Sequence, residues 1–142
     1  MSKPADQVPQ DIEAIMKLKA KYWHCIDNKL WDGVVHCFAE DAVADYPNGK
    51  FRGREAIAKS FRDTLSHGPV AHVGHNLGIE ITSDTTATAT WEADVSMTDA
   101  KTNAVLKLCT CYEDEYVKDK GQWMIRSAKM RIMPTDKSKS GG

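Results

Sequence analysis

The stretch AHVGHNLGIEITSDTTATATWEADVSM, residues 71–97, decides the fold of this chain. It is long, rich in Val, Ile, Thr and Trp, and interrupted near Ser83-Asp84, a pattern typical of two β-strands joined by a tight turn. Two further runs of the same kind follow, and turn residues separate them. The predicted strands therefore cover residues 71–82, 87–97, 104–118 and 123–133.

The residues before this region have helical spacing instead. Apolar side chains recur every three or four positions from residue 11 to about residue 28, which predicts a first helix with Asp11 as its N-cap after Pro9. The other elements predicted before residue 71 are a second helix over about 31–39, a hairpin around Pro47-Asn48-Gly49, and a third helix that opens at Gly53 and ends at Gly68.

The predicted order of elements is α-α-β-α-β-β-β-β, with most of the helical residues first and a meander of long strands last. This order is typical of the α+β class, in which helices pack on one face of an antiparallel sheet. A sheet of long strands can curl around the first helix and leave a cavity, a common place for a small-molecule site. We expect one domain over residues 11–133, between disordered polar tails at 1–10 and 134–142.

The composition argues against several classes of function. The 142 residues carry a formal net charge of −1 and no basic run, whereas nucleic-acid binding needs a basic patch. No apolar stretch is long enough to span a membrane, and the polar N-terminus lacks the apolar core of a signal peptide, so we expect a cytoplasmic location. The four cysteines lack the spacing of a metal site, which predicts reduced thiols and no metal: Cys25, Cys37, Cys109 and Cys111.

Several motifs resemble the SnoaL-like branch of the nuclear-transport-factor-2-like superfamily. The segments that carry the resemblance are DIEAIMKLKAKYWHCIDNKLWDGV from residue 11, DYPNGK from residue 45, AHVGHNLGIEITSDTTATATW from residue 71, YEDEYVKDKGQWMI from residue 112 and MRIM from residue 130. The similarity covers residues 11–133, and the first segment is closest to the bile acid 7-alpha-dehydratases. The resemblance implies a cone in which a curved, mostly antiparallel sheet wraps around the N-terminal helices.

The resemblance also implies a catalytic site. The family's aspartate and histidine match Asp27 and His72, and two of its tyrosines match Tyr22 and Tyr46. A buried carboxylate can hold a histidine in one tautomer and stabilise its charged form, and a phenol can donate a hydrogen bond to a carbonyl or a leaving hydroxyl. The residues expected to bind the substrate are Arg131, Asp94 and His75.

Taken without the resemblance, these residues have simpler readings. An aspartate at a helix end is usually a solvated turn residue, and a histidine in a strand is more often structural than catalytic. Strand parity also places His72 opposite to the apolar face of its own strand, which contains His75 and Leu77. We therefore expect an irregularity near Gly74 that turns His72 toward the pocket, with His75 as the alternative catalytic histidine.

The function implied by the resemblance is that of a cofactor-independent lyase, a dehydratase that removes a proton beside a carbonyl of a steroid-like or polycyclic hydrophobic molecule. Two alternatives stay open. One is an isomerase of the ketosteroid isomerase type, a cyclase or a hydrolase that uses the same pocket, and the other is a non-catalytic module that binds a small ligand. Apolar or small side chains on both faces of the strands also predict a homodimer or homotrimer through the convex face of the sheet.

Overall fold

The computed structural model describes residues 7–134. Its elements are α1 (Gln7–Asp27), α2 (Trp31–Cys37), β1 (Phe38–Tyr46), β2 (Gly49–Arg52), α3 (Arg54–Leu65), β3 (Val70–Ile81), β4 (Thr86–Thr98), β5 (Val105–Asp119) and β6 (Gln122–Met133). The predicted α+β class is confirmed, and each of the four long strands begins and ends within one residue of its predicted position. The disorder expected for residues 1–6 and 135–142 lies outside the described residues.

The six strands form one curved sheet that does not close into a barrel, in the order β2-β1-β6-β5-β4-β3. Neighbouring strands are antiparallel except β1 and β6, which are parallel. This parallel pair joins the first strand to the last. The centre of the sheet therefore forms only when distant parts of the chain meet.

The helices cover the concave face of the sheet. Helix α1 packs on β3 and β6, and α3 packs on β1 and β2. Strand β4 shows the resulting alternation, because every second residue is buried beneath the helices: Ala87, Ala89, Trp91, Ala93 and Val95. The other face of the sheet carries no helix in the described chain and is largely polar. Within residues 7–134, no helix has the length and apolar character needed to cross a membrane.

Helix α1 begins at Gln7, about one turn before the predicted start, so residues 7–10 of the expected tail are helical. Pro9 lies in the first turn, where its missing N–H removes no intrahelical hydrogen bond. Asp11 does not cap the helix, since its buried carboxylate accepts hydrogen bonds from Trp123 Nε1 at 2.9 Å and Lys118 Nζ at 3.2 Å. The residue predicted to start the helix instead ties it to the sheet.

A buried ion pair makes a second tie between α1 and the sheet. Lys19 Nζ donates to Asp114 Oδ2 at 2.8 Å, and both side chains are fully excluded from solvent. The Tyr116 hydroxyl donates to the same oxygen at 2.7 Å, and Trp91 Nε1 donates to that hydroxyl at 3.0 Å. The ammonium also lies 4.2 Å from the centroid of the Tyr112 ring. Burial lowers the pKa of Lys19, and the charge of Asp114 opposes that shift.

All four cysteines are free thiols. Cys25 of α1 and Cys37 at the end of α2 are buried, and burial raises the pKa of Cys37 to about 11. Cys109 and Cys111 lie on the outer face of β5, opposite Asp94 and Glu92 of β4. Burial and nearby carboxylates, Glu92 in both cases, raise the pKa of both thiols, so neither has the character of an activated nucleophile.

Candidate functional site

The Asp27 carboxylate and the His72 side chain meet where the end of α1 lies against the start of β3. The imidazole Nδ1 donates to Oδ1 of Asp27 at 2.6 Å, and the backbone N–H of His72 donates to Oδ2 at 3.0 Å. Both oxygens of one carboxylate thus hold a single residue, which fixes the orientation and the tautomer of its ring. With Nδ1 protonated, Nε2 is the nitrogen that can accept a proton.

Asp27 has an unusual place for a carboxylate. It is the last residue of α1, where the helix dipole disfavours negative charge. The helix closes immediately behind it, because the Leu30 N–H donates to the Cys25 carbonyl at 2.7 Å and Lys29 takes a φ of 57°. The C-terminal end of a helix has no free N–H groups to stabilise a carboxylate. The two N–H groups of His72 donate the hydrogen bonds that stabilise Asp27 instead.

The surroundings of His72 favour a neutral imidazole. Its side chain is only 7% exposed, and the Trp23 ring stacks beside it with the ring centroids 6.5 Å apart. Burial lowers the pKa of His72 below its ordinary value of 6.5, and the hydrogen bond and charge of Asp27 oppose this shift without reversing it. A neutral, oriented imidazole at neutral pH has the properties of a general base.

The first half of β3 presents His72 to the concave face without distortion. His72 pairs with Val95, a buried residue of β4, while the adjacent Val73 pairs with the exposed Asp94. The irregularity predicted near Gly74 is therefore misplaced, since normal alternation already turns His72 inward.

The irregularity lies further along the strand, as a β-bulge. The register with β4 shifts between Asn76 and Gly78, which leaves Leu77 as the extra residue. One extra residue reverses the parity, so Ile79 and Ile81 return to the core side. The alternation of these two isoleucines indicates the inward face only for the part of the strand beyond the bulge, so it could not predict the orientation of His72.

Three residues expected to bind the substrate lie on the outer face of the sheet. His75 Nε2 is 3.9 Å from Asp94 Oδ2, and the two side chains are 58% and 72% exposed. Arg131 Nη2 is 3.8 Å from Glu113 Oε2, again with both side chains exposed. The sheet separates all three from His72, because alternation sends them outward while their strand neighbours point inward. None of the three, His75 included, lines the cavity that His72 lines.

A cavity of about 200 Å³ opens beside His72, between α3 and the sheet. Most of its wall is apolar, from side chains of α3, β4, β5 and β6: Phe61, Leu65, Val95, Met97, Leu108, Met130 and Ile132. A few polar side chains interrupt this wall, among them Tyr46, Thr110 and Tyr112. An apolar cleft with a few convergent polar groups is typical of a small-molecule site.

The two predicted tyrosines differ in their relation to this cavity. Tyr46 lines it, and its buried hydroxyl lies near that of Tyr22 but forms no hydrogen bond of ordinary geometry within residues 7–134. Tyr22 does not line the cavity and is packed edge-on against Phe38 and Phe61. Burial raises the pKa of Tyr46, so its phenol stays protonated and can donate a hydrogen bond to a ligand.

Tyr112 is a cavity residue that the sequence reasoning missed. It lies on β5 directly opposite Trp91 of β4, and both side chains are buried on the concave face. Burial raises the pKa of Tyr112, which keeps this phenol a donor as well. The alternation of Thr110, Tyr112 and Asp114 along β5 was the available signal, and it needed the register with β4 to show which face was inward.

The described residues offer no evident metal site. Within residues 7–134, no group of three or more His, Cys, Asp or Glu side chains is arranged to hold a metal ion. The Asp27–His72 pair can accept a proton, and the buried phenols can donate hydrogen bonds. The site thus has the components of acid–base chemistry performed by side chains.

Comparison with known proteins assigns the family. A model of the SnoaL-like domain matches residues 7–129. The chain belongs to the SnoaL-like family. The resemblance in the sequence motifs is thereby confirmed, together with the cone fold that the wider nuclear-transport-factor-2-like superfamily shares.

Several solved structures share this architecture. A protein of unknown function from Mycobacterium tuberculosis is 25% identical, with a TM-score of 0.82 over 96% of this chain and 80% of that one. A scytalone dehydratase-like protein from Novosphingobium aromaticivorans is 23% identical, with a TM-score of 0.86 over 92% and 89%. A type 3 hexachlorocyclohexane dehydrochlorinase from Novosphingobium barchaimii is 17% identical, with a TM-score of 0.79 over 88% of each chain. At the two lower identities the likeness concerns the fold alone.

Proposed function

We propose that this SnoaL-like protein is a cofactor-independent lyase that dehydrates a hydrophobic carbonyl compound, with His72 as the general base. The observation that carries the proposal is the hydrogen bond of 2.6 Å between His72 Nδ1 and Asp27, formed by a histidine that also lines an apolar cavity. A site that only binds an apolar ligand has no need of a carboxylate that holds an imidazole in one tautomer. Two solved relatives named for elimination enzymes share the fold, which is consistent with the proposal.

The proposed reaction begins with removal of a proton from the carbon next to the carbonyl. His72 Nε2 accepts this proton, and the electrons of the C–H bond form an enolate. The Tyr46 hydroxyl donates a hydrogen bond to the enolate oxygen, while Asp27 stabilises the imidazolium. The enolate electrons then expel the hydroxyl on the next carbon. The proton held by His72 leaves with it as water, and the product is a conjugated enone.

The size of the cavity bears on the substrate. About 200 Å³ is less than the usual volume of a pocket that encloses a drug-sized molecule. The cavity can thus enclose the reacting ring and its carbonyl but not a whole steroid-like molecule. We propose a polycyclic or ring-bearing hydrophobic ketone whose remaining part extends beyond the cavity.

The test uses a panel of cyclic β-hydroxyketones, including steroid, bile acid and aromatic polyketide types, incubated with the protein in D2O. Loss of water is followed by the ultraviolet absorbance of the enone, and proton removal by NMR of deuterium entering beside the carbonyl. We expect His72→Ala and Asp27→Asn each to lower turnover by about 10²–10⁴-fold with little change in melting temperature. The matched controls are His75→Ala and Asp94→Asn, which remove an exposed pair on the outer face of the sheet and should leave turnover unchanged.

The outcomes separate the candidate reactions. Deuterium entry beside the carbonyl with no loss of water would contradict the lyase and favour an isomerase at the same site. Tight binding with neither deuterium entry nor water loss would favour a non-catalytic binding module. Equal losses of turnover in the Asp27→Asn and Asp94→Asn variants would remove the basis for the proposed base.

We also propose that the chain assembles as a homodimer or homotrimer through the outer face of the sheet and acts in the cytoplasm. The outer face has no helix against it in the described chain and includes exposed apolar side chains such as Val73 and Val43. The free thiols are compatible with a reducing compartment.

A further inference from the structure

An open groove of about 440 Å³ adjoins the cavity beside His72. The two spaces share three lining residues, Thr64, Leu65 and Met97, so the groove lies directly beyond the wall formed by the end of α3 and the end of β4. A ligand that is too long for the cavity can therefore extend from it into the groove.

The rim of this groove carries two large apolar side chains that face solvent. Val105 and Leu106 begin β5 and are 55% and 54% exposed. Leu106 pairs with Met97 of β4, the residue that the groove shares with the cavity. Two adjacent exposed apolar residues at the mouth of an apolar cavity differ from the isolated ones that any surface carries.

The opposite wall is held in place by the loop between α3 and β3. The Thr98 N–H donates to the Pro69 carbonyl at 2.9 Å, and the Ala100 N–H donates to the His67 carbonyl at 3.0 Å. Gly68 allows this close approach, because a Cβ there would overlap the carbonyl oxygen of Thr98. The groove is thus bounded by backbone hydrogen bonds and is formed before any ligand arrives.

The lining of the groove is poor in charge. Among its described lining residues, His67 and Asp99 are titratable, and the remainder are apolar, small or hydroxyl-bearing. Away from these two residues the lining offers apolar contact, and a charged group there would lose hydration without gaining an ion-pair partner.

We propose that this groove is a second subsite, which binds an uncharged apolar extension of the substrate while the carbonyl end occupies the cavity. The extension is an alkyl chain or a further ring of the same molecule. The inference rests on the proposed function only in taking the cavity as the place of the reacting end. It narrows the substrate class to elongated hydrophobic ketones.

The test measures binding of a series of 4-hydroxyphenyl alkyl ketones in which the ring and carbonyl stay constant and the alkyl chain lengthens one methylene at a time. Isothermal titration calorimetry gives the affinity for each member. For the native protein we expect the dissociation constant to fall about twofold to fourfold per methylene until the groove is filled. The variants Leu106→Asp and Val105→Asp should bind the shortest ketone as the native protein does and lose most of this dependence on chain length.

The matched control is Leu30→Asp, because Leu30 is also 50% exposed but lies in the turn between α1 and α2. It should keep the native dependence on chain length, and circular dichroism should show all variants folded. A native affinity that does not change with chain length would overturn the subsite. So would an equal loss in Leu106→Asp and Leu30→Asp, or no binding anywhere in the series. Because binding is measured without turnover, a chain-length dependence in a protein that dehydrates nothing would refute the lyase and retain the subsite.

Discussion

When the chain folds, the His72 side chain leaves water, stacks beside the Trp23 ring and donates a hydrogen bond to the Asp27 carboxylate. The two neighbours act in opposite directions on its proton. Burial disfavours the imidazolium, whereas the hydrogen bond and charge of Asp27 favour it, and burial prevails. An imidazole that is neutral without substrate, and whose charged form is stabilised by the Asp27 carboxylate, is suited to the proton abstraction proposed above.

The first residue-scale prediction concerns the titration of His72. We expect NMR of the ring protons to give a pKa below 6.5, and a still lower one in Asp27→Asn, because that variant removes the groups that raise it. Since the unfolded chain then binds the proton more readily than the folded one, this histidine should reduce stability as the pH falls below about 6.5. A rise of the His72 pKa in Asp27→Asn would contradict the assignment, and His72→Ala identifies the signal.

The second residue-scale prediction concerns Gly74. A Cβ at this position would overlap the six-membered ring of Trp23, which stacks on His72. We expect Gly74→Ala to lower the free energy of unfolding by about 1–3 kcal/mol and to shift the NMR signals of His72. Gly78→Ala on the same strand is the control, since a Cβ there meets no atom within 4 Å. Equal stabilities of the two variants in urea unfolding would refute this account.

Among the elements, α1 determines most of the site, because it carries Asp27 at its end and Trp23 one turn earlier. Its position on the sheet is set by polar contacts as well as apolar packing. Asp11 binds β5 and β6 near the start of the helix, and Lys19 binds Asp114 in its middle. The Asp27–His72 pair closes the same interface at the end of the helix, so the geometry of this pair depends on the whole length of α1.

At this scale the prediction concerns the buried Lys19–Asp114 pair. Lys19→Met leaves a carboxylate without its charged partner, so the free energy of unfolding should fall by about 3–5 kcal/mol. The double variant Lys19→Met/Asp114→Asn removes both charges and should recover part of that loss. Urea unfolding measures both, and Lys59→Met is the control because it removes an exposed pair of similar length, 2.7 Å, on α3. A Lys19→Met variant as stable as Lys59→Met would show that the pair contributes little.

For the whole molecule, the one-sided cover of the sheet has consequences for assembly. The concave face is filled by helices and the cavity, and the described outer face carries charged side chains around exposed apolar ones such as Val73. Burying that face against a second copy would remove the apolar groups from water and pair the charges at the rim.

The prediction for the whole molecule is a mass that is two or three times 15.8 kDa in light scattering at micromolar concentration. Val73→Asp, at a residue 59% exposed on the outer face, should shift the mass toward that of one chain. Leu30→Asp lies away from that face and should not change it. A native mass near that of a single chain would contradict the expected assembly.

The sequence by itself determined the elements, because their signals are local. Alternation of β-branched and aromatic residues with turn residues between them identified the four long strands, and helical spacing identified α1. The resemblance of short motifs selected Asp27, His72 and Tyr46. Asp27 and His72 form a hydrogen-bonded pair, and His72 and Tyr46 line one cavity. These features depend on neighbours a few positions away along the chain.

The tertiary structure decided which faces and partners those residues have. Only the register of β3 with β4 placed the bulge at Leu77, and only the parallel pairing of β1 with β6 completed the sheet. The same contacts sent Arg131 outward, brought Tyr112 into the cavity and buried Lys19 against a carboxylate 95 residues away. The physical reason is that burial and charge pairing are properties of groups distant in sequence, and a single added residue in a strand reverses every face that follows it.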